Sequence, residues 1–201
     1  MEEDQGINKQ LLIIGGSAGS LEVISFLLPK IILPIAYSIV VVIHRKQGID
    51  DLLTGLLQND CPLPVREAHE KEEIRSGTVY LAPPDYHLLF ENNKTFSLDH
   101  SEKVNFSRPS IDVSFESASH VYKENLLGLL LSGANQDGTT GIKQIKKMGG
   151  RIIIQDPQSA AFPYMPTNAI QVTKPDAVLA KEEMTTFIHN HFSNIAANEK
   201  G

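Results

Sequence analysis

The apolar positions fall into short, continuous, β-branched runs, each followed by glycine or polar residues and then by a stretch with helical spacing. Residues 10–14 predict a first strand, 15–20 a turn, and 21–28 a helix closed by Pro29. Residues 37–43 predict a second strand ending at His44, with a helix over 50–58 behind it. A third strand is expected over 78–82, stopped by Pro83 and Pro84. Residues 126–131 predict a fourth, followed by the 133–138 segment and an amphipathic helix to Met148. A fifth is expected over 151–155 and a short sixth over 177–179, before a helix over 182–192. Strands that are apolar throughout and alternate with helices imply an α/β fold: a doubly wound, mainly parallel sheet with helices on both faces. Residues 87–90 and 95–98 flank 91–94, whose Asn92-Asn93 pair suits a tight turn, so a β-hairpin is expected as an appendage to the sheet.

A length of 201 residues suits one domain, expected over 11–192, with an N-terminal tail over 1–10 and a C-terminal tail over 193–201 that frays. The longest apolar runs, 31–36 and 38–43, fall well below the ~20 residues that span a bilayer. The first ten residues are acidic and polar, unlike a secretory signal, so a cytoplasmic location without membrane insertion is expected. A net charge of −6 argues against nucleic acid as partner, since phosphate binding needs clustered Lys and Arg. The single cysteine, Cys61, excludes an internal disulfide and any multi-cysteine metal site, and it reads as an ordinary residue. Nothing in the sequence calls for a metal or a cofactor.

In an open α/β sheet, ligands bind beyond the carboxyl ends of the strands. Ser17 follows the first expected strand, His44 ends the second, and Asp137 lies just beyond the fourth. Gathered on one rim, a hydroxyl, an imidazole and a carboxylate are the parts of a nucleophilic triad. Ser17 has the most suggestive setting: Gly15-Gly16-Ser17-Ala18-Gly19 matches G-x-S-x-G, whose glycines permit the sharp strand-to-helix turn that exposes a hydroxyl. Taken singly, each residue also has a plain structural reading. Glycine and serine favour turns, a histidine at a strand end commonly makes hydrogen bonds at the rim, and Asp137 before Gly138 suits a helix cap. Their coincidence on one rim is what favours chemistry.

Two alternatives fit less well. An α/β-hydrolase carries its nucleophile elbow after several strands and runs Ser, acid, His, whereas here the elbow follows the first strand. His189 and His191 are the only late histidines in range, and they read as solvated on a polar-faced helix. A dinucleotide site would need G-x-G-x-x-G and an acidic residue ending the second strand, where this chain has Gly15-Gly16-Ser17-Ala18-Gly19-Ser20 and His44.

These residues resemble the catalytic domain of the chemotaxis receptor methylesterases, the CheB type, over most of the chain. The resemblance rests on Ile14-Gly15-Gly16-Ser17-Ala18-Gly19, Val42-Ile43-His44, Val79-Tyr80-Leu81-Ala82-Pro83, Arg108-Pro109-Ser110-Ile111-Asp112-Val113 and the segment from Leu131 to Gly141, extended by Gln155-Asp156 and Met165-Pro166. It implies a doubly wound parallel sheet and a catalytic set at Ser17, His44 and Asp137. It also implies hydrolysis of glutamate γ-methyl esters on the cytoplasmic helices of receptors, with deamidation of receptor glutamines as a second outcome. Backbone N–H groups of Ala18 and Ala134 are the implied oxyanion donors. His87 and Arg108 match family positions and are candidates to line the substrate groove, with a structural cap or pair as the alternative for Arg108. Arg45 and Lys46 read as a solvated charge pair, with attraction of an acidic receptor helix as the alternative.

The chain departs from the family pattern at Ala18, Ser20, Ala134 and Asn135, and the changes at Ala18, Ala134 and Asn135 motivate a second reading, a catalytically impaired receptor-binding module. A small-molecule esterase is a third. The receiver domain that usually precedes this domain has no counterpart in the roughly ten residues before the first strand, so either constitutive activity or control by a separate receiver or sensor protein is expected.

Overall fold

The computed structural model describes residues 10–45 and 52–198. Seven strands form one sheet in the order β3-β4-β2-β1-β7-β8-β9, and every neighbouring pair in it is parallel. They are β1 (Gln10–Gly16), β2 (Tyr37–Ile43), β3 (Val65–Glu67), β4 (Val79–Leu81), β7 (Leu126–Leu130), β8 (Arg151–Gln155) and β9 (Ala177–Leu179). β5 (His87–Phe90) and β6 (Phe96–Asp99) make a separate antiparallel hairpin. Every residue of β1, β2 and β7 is buried, as expected of central strands covered on both faces.

Alternation along the strands divides the core. Leu12, Ile14, Ile39 and Val41 face α1 (Ser20–Leu27), α2 (Leu53–Asp60) and α6 (Lys181–Asn198). Leu11, Ile13, Val40 and Val42 face α3 (Ile111–Tyr122), α4 (Thr139–Lys147), α5 (Tyr164–Val172) and the hairpin. The hairpin is clamped to α3, because Ser117 Oγ accepts from Phe90 N at 2.8 Å and donates to Phe90 O at 3.3 Å. Its turn departs from expectation: the residue with positive φ is Lys94, at 61°, rather than Asn92 or Asn93. Lys94 is held there by its ammonium, which donates to Val121 O at 2.8 Å and lies 4.0 Å from the Tyr122 ring centroid.

Several elements differ from the sequence reading. β3, α3 and α5 were not foreseen. α6 continues to Asn198, beyond the expected end at Phe192, because Phe192 anchors it: its ring stacks on Tyr37 with centroids 3.8 Å apart. His191, expected in solvent, is buried, and burial with the nearby Arg151 charge pushes its pKa down to about 4. Cys61 is buried in the core, where burial pushes its thiol up. Lys46 and the first residues of the expected 50–58 helix lie outside the described residues. Among the described residues, no helix is long and apolar enough to cross a membrane.

Candidate active site

The chain reverses its winding direction between β1 and β7, and the crevice at that switch point opens beyond the carboxyl ends of the strands. The sequence-predicted residues collect there. β1 and β2 pair Gly16 with Ile43, so Ser17 and His44 are each the next residue past the end of adjacent parallel strands. On the other side of β1, Leu131 N donates to Gly15 O at 2.8 Å and Ser17 N donates to Ser132 O at 2.9 Å. The ladder thereby continues past β1 and fixes the Ser17 backbone against the loop that leads to Asp137.

The turn from β1 into α1 is closed by Gly19, whose φ of 79° and lack of a side chain are both required: a Cβ there would lie 2.7 Å from Ala161 Cβ and 2.8 Å from Ser132 Oγ. Ser132 ties three loops together. Its hydroxyl donates to Ala18 O at 2.7 Å and accepts from Phe162 N at 2.9 Å, and its own N donates to Gln155 Oε1 at 2.8 Å. Gln155 thus owes its burial to holding Ser132 in place.

His44, with its side chain 15% exposed, bonds through Nε2 to Asp137 Oδ2 at 2.7 Å. Asp137 is fully buried and accepts from a dense set of further donors. Ile111 N reaches Oδ2 at 2.7 Å, while Oδ1 accepts from Ser110 Oγ at 2.9 Å and from Asn105 Nδ2, Asp112 N and Gly138 N, each at 3.1 Å. Burial by itself raises a carboxyl pKa, but the bonds from His44, the Ile111 and Asp112 amides and Asn105 outweigh it here and hold Asp137 below its ordinary value. Asp137 is therefore an ionised carboxylate aimed at the imidazole. Ser17 is half-buried on the same rim, and its Oγ makes no hydrogen bond to His44 among the described residues. The hydrogen-bonded pair is Asp137 and His44, and it does not extend to Ser17 Oγ.

Asp112 is a second buried carboxylate beside the first, and the sequence reading gave it no role. It accepts from Gly141 N at 2.7 Å and from Asn105 Nδ2 at 2.9 Å. Burial and the neighbouring Asp137 charge push its pKa up to about 6, against the lowering effect of the Gly141 amide. Ser110 caps α3 while donating to Asp137, so one helix N-terminus serves both fold and site. A signal was present: Ser110 stands before Ile111, Phe115, Ala118 and Tyr122, which recur on one helical face.

The two substrate candidates do other work. His87 is 1% exposed, with Nε2 donating to Glu102 O at 3.0 Å and Nδ1 accepting from Ser110 N at 3.2 Å, so no ring atom faces a groove. Arg108 donates through Nη1 to His100 O at 3.0 Å and Ser101 O at 2.6 Å, the structural alternative. Both pin the loop between β6 and α3. Arg45 is likewise buried, not solvated: it donates to Ala82 O and to Glu67, joining the ends of β2, β4 and β3. Ala18 is half-buried and Ala134 exposed, and neither backbone N–H donates to another described group. Beside Ala134 an apolar groove runs along Phe162, Pro163 and Tyr164. Among the described residues, no cluster of His, Cys, Asp and Glu is arranged to hold a metal ion.

Comparison with known proteins agrees with this architecture. The family model described as CheB methylesterase matches residues 12–188. A Leptospira interrogans protein, provisionally named a protein-glutamate methylesterase/protein-glutamine glutaminase, is 46% identical over 178 residues, covering 89% of this chain and 92% of that one. The Thermotoga maritima protein-glutamate methylesterase/protein-glutamine glutaminase is 33% identical over 176 residues, 86% of this chain but 51% of the relative. The crystal structure of the Thermotoga maritima CheB methylesterase catalytic domain superposes with a TM-score of 0.83 at 32% identity, covering 88% of this chain and 95% of that domain. The chain belongs to the CheB methylesterase family.

Proposed function

We propose that this protein hydrolyses the γ-methyl esters of glutamate side chains on chemotaxis-type receptors, and converts glutamine side chains there to glutamate, through Ser17, His44 and Asp137. The observation that carries the reading is the buried Asp137 carboxylate bonded to His44 at 2.7 Å, beside the Gly-rich turn that presents Ser17.

Because Nε2 is engaged by Asp137, the nitrogen left to act as base is Nδ1. As Ser17 Oγ attacks the side-chain carbonyl, Nδ1 takes the hydroxyl proton, and Asp137 stabilises the resulting imidazolium. The carbonyl oxygen, now an oxyanion, is met by the Ala18 and Ala134 N–H groups. Collapse breaks the C–O bond, and Nδ1 returns its proton to the departing methoxide, releasing methanol. Water then attacks the acyl-serine, Nδ1 takes its proton, and the proton returns to Ser17 Oγ as the glutamate carboxylate leaves. A glutamine follows the same course and releases ammonia.

The changes at Ala18 and Ala134 alter side chains, whereas the donors are backbone groups, and no observation favours the impaired-module reading. Purified protein given a methylated receptor fragment is expected to release methanol, and Ser17→Ala is expected to lose about three orders of magnitude or more in rate while remaining folded. An undiminished rate in that variant would refute the assignment.

A further inference from the structure

Beside Asp137, the 104–107 turn carries a residue that fold stability does not explain. Val104 N donates to Ser107 O at 3.2 Å and Ser107 N to Val104 O at 2.9 Å, leaving Asn105 and Phe106 as the central pair of a two-residue turn. Both have positive φ, 49° and 62°, the pattern of a type I′ turn, which favours Asn and Gly. Asn105 suits its position. Phe106 does not, because a bulky side chain is strained in the left-handed region. Packing does not offset the strain, since Phe106 is 98% exposed. Strain and an aromatic ring in water, both unfavourable, fall on one residue next to the catalytic pair.

The mount beneath that ring is fixed. His87 Nε2 holds Glu102 O at 3.0 Å, and Arg108 Nη1 holds His100 O at 3.0 Å and Ser101 O at 2.6 Å. On the inner side, the Asn105 amide spans the two carboxylates, donating to Asp112 Oδ2 at 2.9 Å and Asp137 Oδ1 at 3.1 Å. An aromatic side chain with two torsions on such a base loses little freedom when something covers it. Whatever covers it lies close to the site, because the residue beside Phe106 in the chain, Asn105, is bonded to Asp137 itself. A polypeptide that offers one side chain for hydrolysis brings neighbouring apolar side chains to such a ring, whereas a small ester brings none.

We infer that Phe106 is a specificity-determining docking contact for the polypeptide that carries the esterified glutamate, presented by a strained turn that His87, Arg108 and Asn105 hold rigid. The inference rests on the proposed function, and its test separates the two. Turnover of a small methyl or aryl ester and of a methylated receptor fragment is measured for the parent, Phe106→Gly and Phe106→Tyr, together with binding of the same fragment to each in the Ser17→Ala background. Phe106→Gly is expected to keep small-ester turnover within about twofold, to raise KM for the receptor fragment about tenfold with kcat held, and to weaken fragment binding about tenfold. Phe106→Tyr restores both. The thermal midpoint of Phe106→Gly is expected to equal or exceed that of the parent, because glycine relieves the strain and no packing is lost.

Unchanged KM and binding in Phe106→Gly would overturn the inference while leaving the hydrolase reading intact, and so would a lowered thermal midpoint. A parent protein inactive on both substrates would overturn the hydrolase reading. The binding arm then decides the docking contact by itself, for or against.

Discussion

Replacing Asp112 with asparagine is expected to change the protein's relative stability between pH 4 and pH 7.5, in favour of the variant as pH rises. Burial and the Asp137 charge push the Asp112 carboxyl up to about 6 from an ordinary value of 3.8. Between those values the folded chain holds a proton that the unfolded chain has released. The contribution of this group to stability is therefore full below pH 3.8 and is lost as pH rises through about 6. A displacement of roughly two pKa units, at about 1.4 kcal/mol each, sets the loss at about 3 kcal/mol. The Gly141 and Asn105 bonds are already included in that net shift, so they do not enter a second time. The amide that Asp112→Asn introduces cannot ionise and escapes the loss, whatever constant offset it brings. Asp137 shifts in the opposite direction, below 3.8, so its own titration falls outside the window. The chain has no tryptophan, so urea unfolding followed by circular dichroism at intervals from pH 4 to 8 is the suitable assay. With m-values equal, the stability difference between variant and parent should grow by about 3 kcal/mol across the series. A difference independent of pH would refute the account of the paired carboxylates, and a difference growing toward acid would reverse its sign.

Further expectations address the site itself. Asp137→Asn puts an NH2 group either in the place of Oδ2, against His44 Nε2 and the Ile111 amide, or in the place of Oδ1, against the Asp112 and Gly138 amides; facing His44 it forces the proton onto Nδ1, the nitrogen proposed as base, and kcat on a small ester should fall by about 10⁴. Gly19→Ala meets both a φ of 79° and a contact at 2.7 Å with Ala161, so it should destabilise by more than about 1 kcal/mol in urea titration and lower kcat together with stability. Ser132→Ala leaves Ala18 O and Phe162 N without their buried partner, a cost of about 1–3 kcal/mol, and should depress kcat because the Ser17 turn loses its tie.

The sheet was legible because its central strands are buried on both faces, and such strands leave an unbroken apolar run that nothing else in a short sequence imitates. β2, β8 and β9 end where the hydropathy pattern ends. β3 escaped because a three-residue edge strand, Val-Arg-Glu, is paired on one side only and keeps just Val65 buried. α3 and α5 escaped for a different reason: their opening residues, Ile111-Asp112-Val113 and Met165-Pro166, belong to stretches too short by themselves to show a helical period, and Pro166 inside α5 reads as a breaker although it stands in the first turn, where it is tolerated. Of the site, the members supplied by strand ends were readable from topology. Asn105, Ser110 and Asp112 were not, because their meaning lies in which carboxylate they meet, and a loop that leaves a hairpin gives no register from which to infer that. The same limit explains His87 and Arg108. Only burial and bonding show that they serve the loop.

The departures from the family pattern near the acid follow from how the site is built. The 132–138 loop is fixed at both ends by groups that do not depend on residues 134 and 135: Ser132 holds one end, and the helix N-termini that surround Asp137 hold the other. Between them Gly133 N donates to Phe162 O at 3.1 Å and Met165 N to Gly133 O at 3.0 Å, so the backbone path is set before residue 134 contributes a side chain. Asn135 adds to this constraint, since its Oδ1 accepts from Asp137 N at 3.1 Å and tightens the turn just ahead of the acid. Ala134, exposed beside the apolar groove, then sets only how much room lies next to the rim. A larger residue at 134 should narrow that room without moving the backbone N–H. Ala134→Met is thus expected to change KM for a bulky ester while leaving kcat for a small one within about twofold. If instead kcat for the small ester fell by orders of magnitude, the N–H at 134 would have moved, and the scaffold and the rim would not be independent.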